Sequence, residues 1–264
     1  MRIINPKKSL GQNFLIDENA INKIVNLVDF SKNDEILEVG PGTGNLTEKI
    51  LEKNPNKFLL VEKDNNLYDE LINRFGDKVE VFNEDILNFK EDKHLNQNII
   101  VFGNLPYNIS SQILVKWIKL KNINKKFKKF ILMFQKEVAD RIVAKENNKN
   151  YSRLSVISSW KFNAYKIFEI SPESFKPRPK VKSAVIVLEP KKSYENLKNP
   201  NNLEHVTNVF FNLRRKKIKK PFKILFENYE EIAERLDIDL NLRPQNIEPK
   251  KFLEICKEYE KLIN

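Results

Sequence analysis

Glu35-Ile36-Leu37-Glu38-Val39-Gly40-Pro41-Gly42-Thr43-Gly44 reads as a short apolar strand running into a glycine-rich turn, and this junction decides the fold. The chain has six glycines, and three of them fall in this one turn. Glycine there permits unusual dihedrals and lets a ligand approach the backbone closely. A dinucleotide-binding fingerprint would carry its third glycine three residues after the second, opening the helix. That position is Asn45, so the dinucleotide reading is disfavoured; a plain tight strand–helix turn stays open on this stretch alone.

Working outward, strand and helix signals alternate. Strands are predicted over Glu35–Val39, Lys57–Glu62, Val79–Phe82, Ile99–Phe102, Phe130–Phe134, a long stretch near Val156–Phe168, and Ser183–Leu188. Helical spacing is predicted over Glu18–Val28, Leu46–Lys53, Asn66–Phe75, Ser111–Lys119 and Lys136–Lys145. Such alternation specifies a mostly parallel sheet with helices on both faces. The last two strands have no convincing helix between them, which predicts an antiparallel pair, and so an antiparallel edge strand, at one edge of the sheet. The stretch Pro190–Asn202, rich in Lys, Asn, Pro and Ser, reads as a linker. Beyond it Leu203–Phe211, Phe222–Asn228, Ile232–Leu236 and Phe252–Ile263 are helical. The expected organisation is an α/β catalytic domain over 1–190, with a basic N-terminal arm, and a small all-α domain over 191–264. The G-x-G-x-G spacing behind an acid resembles the Rossmann-like, class I S-adenosylmethionine-dependent methyltransferases.

Two acids extend the nucleotide-site reading. Glu62 ends the second strand, about 20 residues past the turn, where a carboxylate can accept both ribose hydroxyls. Asp85 follows the third strand and can accept an adenine amino group. Either acid alone would pass for a surface carboxylate; at the ends of successive parallel strands they point into one crevice. No Gly-x4-Gly-Lys-Ser/Thr phosphate loop is present, which disfavours nucleoside triphosphate chemistry.

After the fourth strand comes Asn104-Leu105-Pro106-Tyr107. A side-chain amide oxygen and a backbone carbonyl near Pro106 can hold the two protons of a planar base amine while the Tyr107 ring stacks on the heterocycle. A base amine is a poor nucleophile because its lone pair is delocalised, so holding its protons would favour a tetrahedral, reactive nitrogen. A second constellation, Ser174-Phe175-Lys176-Pro177-Arg178-Pro179-Lys180-Val181-Lys182-Ser183, is a proline-stiffened loop between the last two strands. Phe175 among Lys176, Arg178 and their neighbours suits base stacking beside a phosphate track; the competing reading makes Phe175 a core anchor. Arg214-Arg215-Lys216-Lys217-Ile218-Lys219-Lys220 sets six cations in seven residues. With Phe210, Phe211 and Leu213 beside it, this segment is expected to be docked and, with Lys7 and Lys8, to grip the phosphates of a nucleic acid rather than form a merely solvated face.

Composition agrees with these readings. The formal charge is +11, with a pI near 9.4, which suggests a polyanionic partner, although a Lys-, Asn- and Ile-rich composition accounts for part of it. One cysteine, Cys256, excludes an internal disulfide and a multi-cysteine zinc site, and the two histidines, His94 and His205, lie in polar surroundings far apart in sequence. No metal is expected. Without an apolar leader or a run of membrane-spanning length, a cytoplasmic protein is expected.

The chain resembles the ribosomal RNA adenine N6-dimethyltransferases, and within them the small-subunit (16S) branch. The resemblance rests on Lys8-Ser9-Leu10-Gly11-Gln12-Asn13-Phe14-Leu15, Glu38–Gly44, Asn104-Leu105-Pro106-Tyr107-Asn108-Ile109-Ser110, Phe134-Gln135-Lys136-Glu137-Val138-Ala139, Phe175–Val185 and Phe211-Asn212-Leu213-Arg214-Arg215-Lys216-Lys217. It implies that Asn13, Leu15, Gly40, Glu62, Asp85 and Asn104, with the glycines at 42 and 44, contact S-adenosylmethionine. It implies that Asn104, Tyr107 and Phe175 hold the target adenine. Members dimethylate two adjacent adenosines in a hairpin near the 3′ end of small-subunit ribosomal RNA, late in subunit assembly, and a monomer is expected. Lys217 and Lys219-Lys220-Pro221 depart from the Thr-Leu and polar turn more usual in the family, which bears on tail–RNA contacts and not on the chemistry. The rival readings are a large-subunit adenine methyltransferase of the macrolide-resistance type, a DNA adenine methyltransferase, a non-catalytic RNA-binding assembly factor, and a dehydrogenase.

Overall fold

A computed structural model describes residues 6, 7 and 11–263. The strands are β1 (Phe14–Leu15), β2 (Glu35–Val39), β3 (Lys57–Glu62), β4 (Glu80–Asn83), β5 (Ile99–Asn104), β6 (Phe127–Gln135), β7 (Phe162–Ile170), β8 (Phe175–Lys176) and β9 (Ser183–Pro190). Seven of them form one sheet in the order β4-β3-β2-β5-β6-β9-β7. The pairs β4–β3, β3–β2, β2–β5 and β5–β6 are parallel, and β9 runs antiparallel to β6. The last two strands of the sheet, β9 and β7, close one edge as expected, with β7 outermost. Ile36, Leu37 and all of Ile99–Phe102 are inaccessible to solvent, as expected of strands covered on both faces.

The chain moves outward from β2 through β3 to β4, then returns to start β5 on the other side of β2. That reversal makes a topological switch point at the carboxyl ends of β2 and β5, where open α/β sheets bind ligands. The glycine turn sits there. Gly44 caps the helix Asn45–Leu51 at φ 81°, and a Cβ on it would lie 2.6 Å from Cε2 of Phe75, the last residue of the helix Asn65–Phe75. Gly44 thus brings the helix close to its neighbour and does not line the crevice expected to hold the cofactor.

The chain divides into two compact units, Met1–Ala139 with Tyr165–Pro190, and Asp140–Ala164 with Lys191–Asn264. The division expected at 190 therefore needs correction, because Asp140–Ala164 groups with the C-terminal helices. The expected strand near Val156–Phe168 is also corrected. Arg153–Lys161 is a helix, begun by a Ser152–Ser155 capping box, and the strand starts only at Phe162. This helix buries Ser155, Val156, Ile157, Ser158, Trp160 and Lys161, on most of its circumference, so its sequence shows no 3.6-residue stripe. It packs against Pro200–Asn212 and Pro249–Leu262. Cys256 is buried in the latter, and desolvation pushes its thiol up to about 12. Among the described residues no helix is long and apolar enough to cross a membrane.

Replacing Gly44 with alanine adds a left-handed strain to an overlap with the Phe75 ring. The expected cost is about 2 kcal/mol of unfolding free energy, measured by denaturant titration; a midpoint unchanged from the parent would contradict this packing.

Candidate active site

The register of the parallel strands sets the site. Val39 stands opposite Val61 on one side and Gly103 on the other, so β2, β3 and β5 end nearly level. Their exits deliver Gly40 and Gly42, Glu62, and Asn104 with Leu105, Pro106 and Tyr107 to one crevice, which Asp85 also lines. Ile86, Leu87 and Ile109 add apolar walls, a role not assigned to them from the sequence because a lone aliphatic residue after a strand carries no ligand signal.

Glu62 is 7% exposed. Its Oε1 accepts the Asp64 amide at 2.9 Å and its Oε2 the Gly42 amide at 3.3 Å. Burial raises its carboxyl above the usual range, opposed by those two amides. Each oxygen has a further lone pair beyond these bonds, and Glu62 lines the crevice. Asp85 accepts the Leu87 amide at 2.9 Å and pairs with Lys63 at 2.8 Å. Burial works against its charge, but these partners hold its carboxyl below the usual range.

The arm closes one side of the crevice. Gly11, Gln12, Asn13 and Phe14 line it. A Cβ on Gly42 would lie 2.7 Å from Cδ1 of Phe14, so glycine is what lets the arm lie against the turn. Buried Asp64 clasps the arm, accepting Gln12 Nε2 at 3.0 Å and pairing with Lys7 Nζ at 2.9 Å. Burial opposes that charge, yet the two partners hold Asp64 below the usual carboxylate range. Lys7, expected on RNA, is thus engaged within its own unit, and Lys8 lies outside the described residues. Sequence reading missed Asp64 because an acid before a helix signals only an N-cap, which it also is.

Asn104 Nδ2 donates to the Asn13 backbone carbonyl at 2.7 Å. A carbonyl can only accept, so this bond settles which amide atom faces the arm and leaves Oδ1 as the acceptor. Leu15 is buried, its carbonyl accepting Asn45 Nδ2 at 2.8 Å; it borders a smaller hollow beside the crevice together with Glu38 and Asn104.

Phe175 needs correction. It is 3% exposed, pairs with Leu15 across β1 and β8, and belongs to the apolar core, so it presents no ring to the crevice. Strand pairing with the arm drives it inward, a tertiary effect invisible in a loop sequence. Its neighbours Lys176 and Arg178 are exposed, with Arg178 paired to Glu173. In the helical unit the cation-rich segment forms the turn between Pro200–Asn212 and Lys219–Leu225. There Arg215, Lys216 and Lys217 are exposed, Lys217 bonds Asn241 at 2.9 Å, and half-buried Arg214 donates to the Lys149 carbonyl.

Beneath the turn, Glu38 is 1% exposed and accepts the Thr47 hydroxyl at 2.7 Å. Burial pushes its carboxyl up to about 8, against the Thr47 bond and with a further push from Glu62. The folded chain therefore holds a proton that the unfolded chain releases above its ordinary value of 4.5. This contribution to stability is complete below 4.5 and is lost as pH rises toward about 8. Glu38→Gln should flatten the fall in unfolding free energy across that window; parallel profiles for the two proteins would show that Glu38 is ionised throughout.

Comparison with known proteins gives the chain a family. A family model for ribosomal RNA adenine dimethylases matches residues 3–261. The ribosomal RNA small subunit methyltransferase A of Pelagibacter ubique is 52% identical over 259 residues, covering 98% of each chain. Its namesake in Ehrlichia ruminantium is 41% identical over 259 residues, covering 96% of this chain and 97% of that one. Among solved structures, a dimethyladenosine transferase from Plasmodium falciparum aligns with a TM-score of 0.79 at 27% identity, covering 94% of this chain and 97% of the other. The expected class I methyltransferase fold is thereby met, and the chain belongs to the ribosomal RNA adenine dimethylase family.

Proposed function

We propose that this chain transfers methyl groups from S-adenosylmethionine to N6 of two adjacent adenosines near the 3′ end of small-subunit ribosomal RNA, in the cytoplasm and as a monomer. The observation that carries the reading is the Asn104 amide. With its NH2 turned to the Asn13 carbonyl, its oxygen, which takes no donor among the described residues, can accept an amine proton beside the Tyr107 ring, in the crevice that Glu62 and Asp85 line.

The crevice suits the cofactor. Glu62 offers lone pairs to a ribose, Asp85 offers an acceptor to a base amine, and Gly40 and Gly42 leave their backbone open to close approach. When bound, S-adenosylmethionine supplies a methyl group already activated on a sulfonium. The chain then contributes position and electrostatics rather than covalent or strong-base catalysis. Asn104 Oδ1 accepts one amine proton. Among the described residues the Pro106 carbonyl accepts the Ile109 amide alone, at 3.1 Å, and a second lone pair can take the other. Tyr107 stacks on the adenine, which must first leave its own stack; base–aromatic stacking returns roughly 1–3 kcal/mol of that cost. The amine becomes acidic as it is methylated, so its proton can pass to solvent without a dedicated base.

Exposed Arg215, Lys216 and Lys217 in the helical unit, and Lys176 and Arg178 in the catalytic unit, would hold RNA phosphates. The small-subunit choice is supported by the names of the Pelagibacter and Ehrlichia relatives.

Labelled methyl transfer tests the reading, with unmodified small subunits, large subunits and DNA as acceptors. Label is expected in small-subunit RNA, and Asn104→Ala should lower transfer by about a hundredfold, as loss of one oriented polar contact to the reacting group does. Full activity in that variant would end the proposed amine grip, and label in large subunits or DNA instead would redirect the substrate. Charge reversal at Arg215 and Lys216 should weaken ribosomal RNA binding and reduce its salt dependence by about two counterions; an unchanged salt slope would remove this turn from the interface.

A further inference from the structure

Tyr107 is the one aromatic the structure presents to the reacting end of the crevice from the Asn104–Tyr107 turn, and its far end is not free. Its hydroxyl and the Ser183 Oγ share a hydrogen bond of 2.5 Å. Ser183 is wholly buried and is the first residue of β9, in register with Gln135 of β6. The residue before it is also tied down, the Lys182 carbonyl accepting the Lys136 amide at 2.9 Å. The partner of the tyrosine hydroxyl is therefore a fixed point of the sheet, and no loop motion carries it.

Such a tether has a specific consequence. A tyrosine ring held only at Cβ can swing about χ1. A hydrogen bond at the other end opposes that swing. Because a phenolic O–H lies in the plane of its ring, the place of the partner also favours one ring tilt. The base of the same turn is held from the chain side, where the Tyr107 carbonyl accepts Ser110 Oγ at 3.3 Å. Burial raises the Tyr107 hydroxyl above its ordinary value, so it stays protonated and able to donate.

We infer that Ser183 is a positioning residue for methyl transfer: through the Tyr107 hydroxyl it sets the plane on which the target base stacks. This rests on the reading of Tyr107 as the stacking platform. It also gives a role to the last residue of the proline-stiffened loop, whose aromatic member, Phe175, lies in the core.

The test is a cycle of Ser183→Ala, Tyr107→Phe and the double variant, each assayed for kcat, KM for small subunits, affinity for S-adenosylmethionine, and thermal midpoint. Tyr107→Phe keeps the ring and Ser183, so it removes the bond even if the serine variant folds poorly. Each single change is expected to lower kcat by about fivefold, the size of one neutral hydrogen bond, with KM and cofactor affinity unchanged. The double variant should be no slower than either single one. Unaltered turnover in Tyr107→Phe, or losses that multiply in the double variant, would overturn the inference. Tyr107→Ala separates the two readings. If it retains transfer, the platform itself is wrong; if it abolishes transfer while Tyr107→Phe and Ser183→Ala are unaffected, only the role of Ser183 falls.

Discussion

The Gly42 amide donating to Glu62 is the contact on which the catalytic unit is arranged. It joins the ends of two neighbouring parallel strands through a carboxylate that is itself nearly out of water. A buried carboxylate persists only if its oxygens are satisfied. Here the amides of Gly42 and Asp64 do so, and both come from the turns that form the crevice walls. The wall geometry and the placement of the acid therefore stabilise each other. A second acid, Glu38, lies beside the same turn; its burial, with a lesser push from Glu62, drives it toward its neutral form.

The N-terminal arm is part of the same construction. Its only regular element within the described residues is the two-residue strand β1, too short to be stable alone. It is held by Asp64 at one end, by pairing with β8 at the other, and by Phe14 resting on the glycine turn. In return it gives its Asn13 carbonyl to Asn104 and so decides which way that amide points. A segment with little structure of its own thereby orients the group closest to the proposed chemistry.

The helical unit follows a different logic. Its interior is aromatic: Phe210 meets Phe222 and Phe252 edge-on at 5.5 and 5.3 Å, and Phe211 stacks on Phe252. This core closes directly beneath the cation-rich turn, whose neighbour Ile218 is fully buried. The charges are thus displayed from a packed base rather than along a loose solvated face, although several are already committed to neighbours in the unit.

Much of this was legible in the sequence. The strand runs Glu35–Val39 and Lys57–Glu62 stand in the structure with the bounds expected, because buried parallel strands are short, apolar and ended by turn residues. The gathering of Gly40, Gly42, Glu62, Asp85 and Asn104 follows from strand order, since every parallel strand delivers its last residues to the same edge. The helix Arg153–Lys161 was not legible, because burial on nearly all sides erases the amphipathic period. Nor were the inward turn of Phe175, the Asp64 clasp and the Ser183–Tyr107 bond, each of which joins residues far apart in the chain. The sequence by itself determined the sheet, the position of the crevice and the residue types at its rim, because periodicity and turn chemistry are local. Only the tertiary structure decided which side chains face the crevice and which atoms remain free to accept, because those depend on hydrogen-bond partners that no local pattern records.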